Sequence, residues 1–114
     1  MTTLDRKALF DRASPEARLR LDLIEAEVER RVAGAQPCVG YGMSAFRLKK
    51  IFFYFSAFKH HVGVYPPVRG PEGLIAALAS YRGPKGNLSF PHSQPLPLDL
   101  IGQVAETLAR QCHS

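Results

Sequence analysis

The pattern of apolar and polar residues over positions 14–34 predicts an amphipathic helix. Ser14, Pro15 and Glu16 form a typical helix start, because serine caps free N–H groups, proline fits the first helical position and glutamate complements the helix dipole. Five apolar residues then recur at nearly helical spacing and predict one buried stripe: Ala17, Leu21, Ile24, Val28 and Val32. Gly34 is a natural end for this helix.

Short apolar runs then predict three β-strands. Residues 46–48 and 51–55 are typical of two strands joined by a tight turn. The second of these is apolar on both faces, which favours a central position in a sheet. A third strand is predicted at 61–65, and it ends at the prolines 66–67 because proline cannot donate to a strand ladder.

The rest of the chain predicts a second helix over 70–82, a short fourth strand over 87–90 and a last helix over 98–111. The order is therefore α-β-β-β-α-β-α. Short strands joined by hairpins favour an α+β fold, in which an antiparallel sheet of about four strands has its helices packed on one face. We expect residues 1–13 to be an N-terminal extension and 14–114 to form a single domain.

Composition favours a folded intracellular domain. The 114 residues are 46% hydrophobic and 22% charged, which excludes wholesale disorder. Cys38 and Cys112 are too few for a disulfide scaffold. The longest apolar run, 51–58, is much shorter than the roughly 18 residues that a membrane span needs, and 1–10 lacks the apolar stretch of a signal peptide. We therefore expect a cytoplasmic protein with no membrane partner.

The net charge of +5 is concentrated in the middle of the chain. Residues 1–37 balance their charges, whereas 38–98 set the following cations against Glu72 alone: Arg47, Lys49, Lys50, Lys59, Arg69, Arg82 and Lys85. Such a basic region attracts phosphate, nucleic acid or an acidic partner, although lysines at turns and edges also keep an apolar sheet soluble. The absence of an RNP-type or arginine-rich motif argues against nucleic acid.

One candidate site would bind an anionic ligand. In the segment 82–86, Arg82 and Lys85 stand beside glycines that let a backbone approach a ligand closely, and Lys59 and His61 come from the neighbouring hairpin. The alternative is a basic helix end followed by a turn. A groove between the sheet and the loop at Tyr41 is the expected pocket. The candidate ligand-binding residues are Tyr41, Phe46, Lys59, His61, Tyr65, Arg82 and Lys85.

A second candidate site would bind a metal ion. Three carboxylates share one side of the first helix: Asp22, Glu25 and Glu29. Oxygen ligands of this kind suit hard cations. His60 is a further candidate, but neighbouring residues of a regular strand point to opposite faces, so His60 and His61 cannot both bind one ion from such a strand. Arg18 and Arg20 compete for the carboxylates, and a solvated helix face is the ordinary alternative.

Catalytic motifs are missing from the sequence. The serines lie in no GxSxG turn, and neither HExxH nor a phosphate-binding loop occurs. Residues 40–42 form a GxG fragment that precedes a strand rather than a helix, and no spacing favours a dyad of Cys38 with a histidine. We therefore expect a protein that is not an enzyme.

Four ordered blocks of the sequence resemble the YdhG-like domains, a bacterial family of unknown function. The YGMSAF of 41–46 is similar to the family's YGMPAF signature, and the FKHHVGVYP of 58–66 is similar to its second block. Residues 85–91, with Lys-Gly and Phe-Pro pairs, resemble the third block. PLPLDLI at 95–101 resembles the start of the last helix.

The resemblance implies an α+β fold like that of frataxin. Some members of the family are described as intracellular iron chaperones, so it also implies weakly bound iron and iron–sulfur or haem assembly proteins as partners. The residues to which this role would map are Asp22, Glu25, Glu29, His60 and His61. This chain departs from the pattern at Pro37, where an acidic residue is common, and at Ser44, which replaces the signature proline.

The leading hypothesis is a non-enzymatic accessory protein that handles iron. The alternative is a binding module for an anionic ligand or an acidic partner, which would bind through a basic face of the sheet. A third possibility is a domain that supports a partner protein through the groove at Tyr41. The basic middle of the chain counts against the first hypothesis, because positive charge raises the cost of bringing Fe²⁺ close.

Overall fold

The computed structural model describes residues 10, 12–84 and 86–112. Helix α1 spans Pro15–Arg31, and the Ser14 hydroxyl accepts a hydrogen bond from the Ala17 N–H at 3.2 Å. The predicted helix start is confirmed, whereas the helix ends at Arg31 and not at Gly34. The predicted N-terminal extension, 1–13, lies largely outside the described residues.

The sheet has five antiparallel strands in the order β1-β2-β3-β4-β5. Their bounds are Gln36–Gly40, Met43–Arg47, Ile51–Ala57, His61–Tyr65 and Leu88–Pro91. The sequence predicts about four strands, and the missed one is β1. Its sequence, QPCVG, contains proline and glycine, the two residues that usually end a strand. However, β1 is an edge strand, and edge strands accept proline.

Two further helices complete the α+β fold. Helix α2 spans Glu72–Ala77, and a 3₁₀ turn at Ala79–Tyr81 follows it before β5. Helix α3 spans Leu98–Cys112. The predicted element order is confirmed apart from the additional first strand. No helix in the described ranges is long and apolar enough to cross a membrane.

The helices pack on one face of the sheet, and the core lies between them. The rings of Phe46, Phe53 and Phe55 are fully buried, with centroids 5.7–6.5 Å apart. Phe10 also belongs to this core, since it is buried with its ring centroid 6.2 Å from that of Phe55. The large aliphatic side chains that are fully buried in the same core come from both layers: Ile24, Val28, Val62, Val64, Leu78, Leu88, Ile101 and Val104. Burial of this apolar surface holds the layers together.

Arg31 joins the end of α1 to α3. Its guanidinium donates to the carboxylates of Glu27 on its own helix and of Asp99 and Glu106 on α3, with Nη1 3.0 Å from the Glu106 Oε1. Gly102 leaves room for this close approach, because a Cβ at position 102 would overlap the Arg31 side chain. Hydrogen bonds from Arg31 are the main cause that lowers the pKa of both Glu27 and Asp99.

The variant Arg31→Met is expected to lower the free energy of unfolding at neutral pH by about 1–2 kcal/mol, because three carboxylates lose a charge-assisted donor. Urea denaturation measures this loss. Glu27 and Asp99 have pKa values below 4.5 and 3.8 in the folded state, so the stability they contribute is present above those values. It disappears as the pH falls through the folded pKa values, and the two proteins should then converge.

Arg30→Met is the matched control. The Arg30 side chain is 67% exposed and contacts Glu27 one turn earlier on the same helix. Exposed pairs of this kind are worth little, so the expected loss is below about 0.5 kcal/mol. Equal losses for the two variants would contradict the role given to Arg31.

Candidate functional site

The face of the sheet opposite the helices carries a row of paired residues. The strand register places Cys38 opposite Ala45, Ala45 opposite Tyr54, and Tyr54 opposite Tyr65. Side chains alternate between faces along a strand, so this row lies on the side away from the core residues Phe53 and Phe55. We call this surface the open face and define it by its residues: Cys38, Gly40, Ala45, Tyr54, Ser56, His61, Gly63 and Tyr65.

Small residues form the floor of the open face, and tyrosine rings lie over them. A Cβ at Gly63 would lie 2.7 Å from the Tyr65 Oη and 3.0 Å from its Cε2, so the Tyr65 ring is folded down over Gly63. A Cβ at Gly40 would similarly lie 2.9 Å from the Tyr54 Cε2. Ala45 is fully buried beside Tyr54. The rings therefore lie along the sheet, and their orientation depends on the glycines beneath them.

Tyr41 occupies an unfavourable backbone conformation in the turn between β1 and β2. Its φ is +52° and that of Gly42 is +73°, and Gly40 pairs with Met43 on either side. Such a two-residue turn favours asparagine or glycine, and a bulky residue at positive φ is an outlier. The Tyr41 side chain is nevertheless 89% exposed, with its ring centroid 5.6 Å from that of Tyr54. Strain of this kind suggests a function other than stability.

A second pair of rings lies at the same end of the sheet. The Phe58 ring stacks on the His61 ring with centroids 5.0 Å apart and an interplanar angle of 25°. The Phe58 N–H donates to the His61 carbonyl at 2.7 Å and closes the turn between β3 and β4. Lys59 and His60 form the exposed tip of this turn.

Hydrogen bonds from the helix side hold that turn in place. The His92 N–H donates to the His60 carbonyl at 2.9 Å, and the His92 Nε2 lies 2.8 Å from the Phe58 carbonyl oxygen. Arg20 on α1 in turn donates to the carbonyls of His92 and Gln94 at 2.8 and 2.6 Å. The sequence suggests Arg20 as a competitor for helix carboxylates, whereas its Nη2 donates to these backbone carbonyls.

Charge differs between the two sides of the molecule. No Asp or Glu occurs between residues 30 and 71, the stretch that contains β1 to β4 and their turns. Among the residues that the structure describes, every Asp and Glu lies in a helix. Arg47 and Lys59 are exposed, and Arg47 follows Ala45 by two positions in β2 and so shares its face. Burial, and then Tyr41 and Cys38, raise the pKa of Tyr54 above its ordinary value.

The structure brings together only part of the predicted anion site. Lys59, His61 and Tyr65 lie on or beside the open face with the exposed Tyr41. Phe46 is fully buried on the helix side, so it is a core residue and not a ligand-binding one. The predicted site lacks Tyr54 and the small residues of the open face, and it also lacks Arg47 and Phe58, which lie beside that face.

The remaining members of that predicted site belong elsewhere. Arg82 forms an isolated bridge with Leu88, and its Nη2 lies 2.9 Å from the position of a Cβ at Gly86. Arg82 therefore covers the turn that precedes β5. Lys85 lies outside the described residues. Beside the Tyr41 turn, a cavity of about 220 Å³ is lined by Gly42, Ser44 and residues that include Arg12 and Leu21.

The predicted metal ligands are not gathered into one site. Asp22 and Glu29 are exposed and Glu25 is half-buried on α1, whereas His60 is exposed at the tip of the turn between β3 and β4. In the part of the chain that the structure describes, no group of three or more His, Cys, Asp or Glu side chains could hold a metal ion.

Comparison with known proteins supports the fold and no more. The chain matches no protein-family model and no curated protein. It is similar to the crystal structure of YdhG from Bacillus subtilis, a protein of the DUF1801 family, with a TM-score of 0.72 and 17% sequence identity. The match covers 93% of this chain and 92% of that one. The YdhG-like resemblance of the four sequence blocks is thus confirmed at the level of the fold.

The variant Tyr41→Asn tests whether this residue is retained at a cost to stability. Asparagine tolerates the left-handed conformation, but the contact with Tyr54 is lost, so we expect a change below about 0.5 kcal/mol in the free energy of unfolding. In a Tyr54→Leu background no ring contact remains to be lost, and the same substitution should stabilise the protein by about 0.5–1 kcal/mol. Urea denaturation of the four proteins measures both effects. Destabilisation in the Tyr54→Leu background would show that Tyr41 carries no conformational cost.

Proposed function

We propose that this domain with the YdhG fold is a non-enzymatic binding module, which takes an anionic ligand or an acidic partner on the open face of its sheet. The observation that carries the proposal is the coincidence of two features on one surface. Half-buried tyrosine rings lie over a floor of small residues with the exposed rings of Tyr41 and Phe58 at one end, and the surrounding strands and turns contain cations and no carboxylate.

The two features supply different parts of the binding free energy. Aromatic rings offer large apolar contact areas with little side-chain entropy to lose, and the glycine floor already restricts Tyr54 and Tyr65. Cations such as Arg47 and Lys59 attract a negative partner over a distance and orient it. The carboxylates that the structure describes all lie in helices, where they offset the arginines, so the attraction of a negative partner is stronger at the open face.

Charge reversal on the open side should weaken binding of a polyanion. We expect Arg47→Glu/Lys59→Glu to raise the Kd for a fluorescein-labelled heparin oligosaccharide at least about tenfold, and to flatten its dependence on salt. Fluorescence anisotropy at a series of salt concentrations measures both quantities. Thermal unfolding of each variant verifies that it is folded.

The control must change the net charge equally on the helix side. Arg18→Glu/Arg110→Glu does so, because Arg18 lies in α1 and Arg110 in α3. We expect this variant to change the Kd less than about threefold, since its charges are remote from the open face. Equal losses for the two double variants would mean that net charge alone governs binding, and the proposal would fail.

Iron handling is the other hypothesis, and its support comes from the resemblance to the YdhG-like family. The arrangement of the described side chains does not favour it, because Asp22, Glu25 and Glu29 lie along an exposed helix and are not joined by a histidine. Partners in iron–sulfur or haem assembly would follow only from this hypothesis.

Anaerobic titration of Fe²⁺, followed by calorimetry, separates the two hypotheses. We expect no saturable heat that depends on the α1 carboxylates, because carboxylates spread along a helix surface compete poorly with water for the ion. The variant Asp22→Asn/Glu25→Gln/Glu29→Gln is the comparison. A saturable isotherm near one ion per chain that this variant abolishes would establish iron binding at α1.

A further inference from the structure

We infer that the occupant of the open face is a single-stranded nucleic acid, with bases stacked on the exposed rings and phosphates beside Arg47 and Lys59. This inference rests on the proposed function, since it names the class of anion that the surface binds. It reverses the expectation drawn from the absence of an RNP-type motif. The rings come from separate strands and turns, so no contiguous motif would reveal them.

The orientation of the rings favours nucleobases over the side chains of an acidic protein. Tyr65 folds down over Gly63 and Tyr54 leans over Gly40, so these rings lie along the sheet. The Tyr41 ring is 89% exposed beside Tyr54. An exposed ring such as that of Tyr41 suits stacking with a base, and such stacking is tolerant of sequence because every base has a π-face. A protein partner would instead make most use of pockets that receive its anchoring side chains.

The distribution of rings and cations matches a short strand laid across the sheet. In an antiparallel meander, the turns after β1 and β3 lie at one end and the turn after β2 lies at the other. Tyr41, Phe58 and Lys59 therefore lie at one end, whereas Arg47 lies towards the other, and Tyr54 and Tyr65 lie between them. Sheets that bind RNA in this manner stack about two or three bases on such rings.

A duplex fits this surface poorly. Stacked and paired bases offer no free π-face to Tyr41 or Tyr54, so a duplex would gain only the contacts of its phosphates with the cations. Selectivity for single strands over duplexes of equal charge is therefore a specific consequence of the ring arrangement, and net charge does not produce it.

Fluorescence anisotropy with four labelled probes tests the inference. The probes are a thymidine 12-mer, the matching uridine 12-mer, an abasic 12-mer with the same phosphates, and poly-glutamate of similar charge. We expect both base-containing strands to bind at least about tenfold more tightly than the abasic strand and poly-glutamate. The comparison of thymidine with uridine strands shows whether the protein prefers DNA or RNA.

Two variants connect the result to the open face. Tyr41→Asn should weaken binding of the thymidine 12-mer about tenfold and leave binding of the abasic strand unchanged, because it removes a ring and no charge. Leu19→Asn removes another exposed apolar side chain, 60% exposed on α1, and should change binding of neither the thymidine 12-mer nor the abasic strand.

Intrinsic fluorescence gives a second readout of stacking. Because the chain lacks tryptophan and three of its four tyrosines are Tyr41, Tyr54 and Tyr65, stacking of bases on these rings should quench the tyrosine fluorescence.

The outcomes separate this inference from the proposed function. Equal binding of the thymidine and abasic strands, or tighter binding of poly-glutamate, would overturn the inference and leave a binding module for another anion. If no probe binds and heparin does not bind either, both proposals fail. Unchanged binding of the thymidine 12-mer by Tyr41→Asn would also overturn the inference, since it assigns that ring to a base.

Discussion

The placement of the described helices on one face of the sheet is the constraint on which the rest of this structure depends. Helices α1 and α3 pack against each other and against one face of the sheet, where the rings of Phe46, Phe53 and Phe55 fill the core. A sheet has two faces, and covering the second would need a further layer. The open face therefore meets its partners, or water, with whatever side chains the strands place there.

Tyr54 and Tyr65 on that face are half-buried, whereas the neighbouring Tyr41 is exposed. Tyrosines lie over glycines and bury part of their own surface, which limits the apolar area exposed to water and protects the strand backbone. This arrangement is stable without a partner, yet Tyr41 stands outside it in a strained turn with an exposed ring. Residues that are retained against conformational preference are more informative about binding than residues that also stabilise the fold.

The carboxylates of the described residues lie in the helices because the helices and the strands have different structural requirements. The helices need carboxylates, because Arg31 must have partners where α1 meets α3 and because a solvated helix gains from charged pairs. The strands have no such requirement, and lysine at their turns discourages pairing with other chains. The result is a molecule whose helices carry both carboxylates and arginines, whereas its strands and their turns carry cations and no carboxylate. A negatively charged partner is attracted to the sheet side. The predicted metal site on α1 would bind a cation, whereas the open face would bind an anion.

Much of the architecture was determined by the sequence alone, because the signals involved are local. The cap at Ser14, the helical spacing in α1 and α3, and the prolines after β4 act over a few residues and predict the order of the elements. The sequence does not predict strand β1, because Pro37 is tolerated only in an edge strand and the position of a strand in the sheet depends on long-range pairing. Phe46 was assigned to a ligand site and Tyr54 was not, although the two residues lie on opposite faces of the sheet. Which face the helices cover is a property of long-range packing, so only the tertiary structure could decide which aromatic rings are core and which are open to a partner.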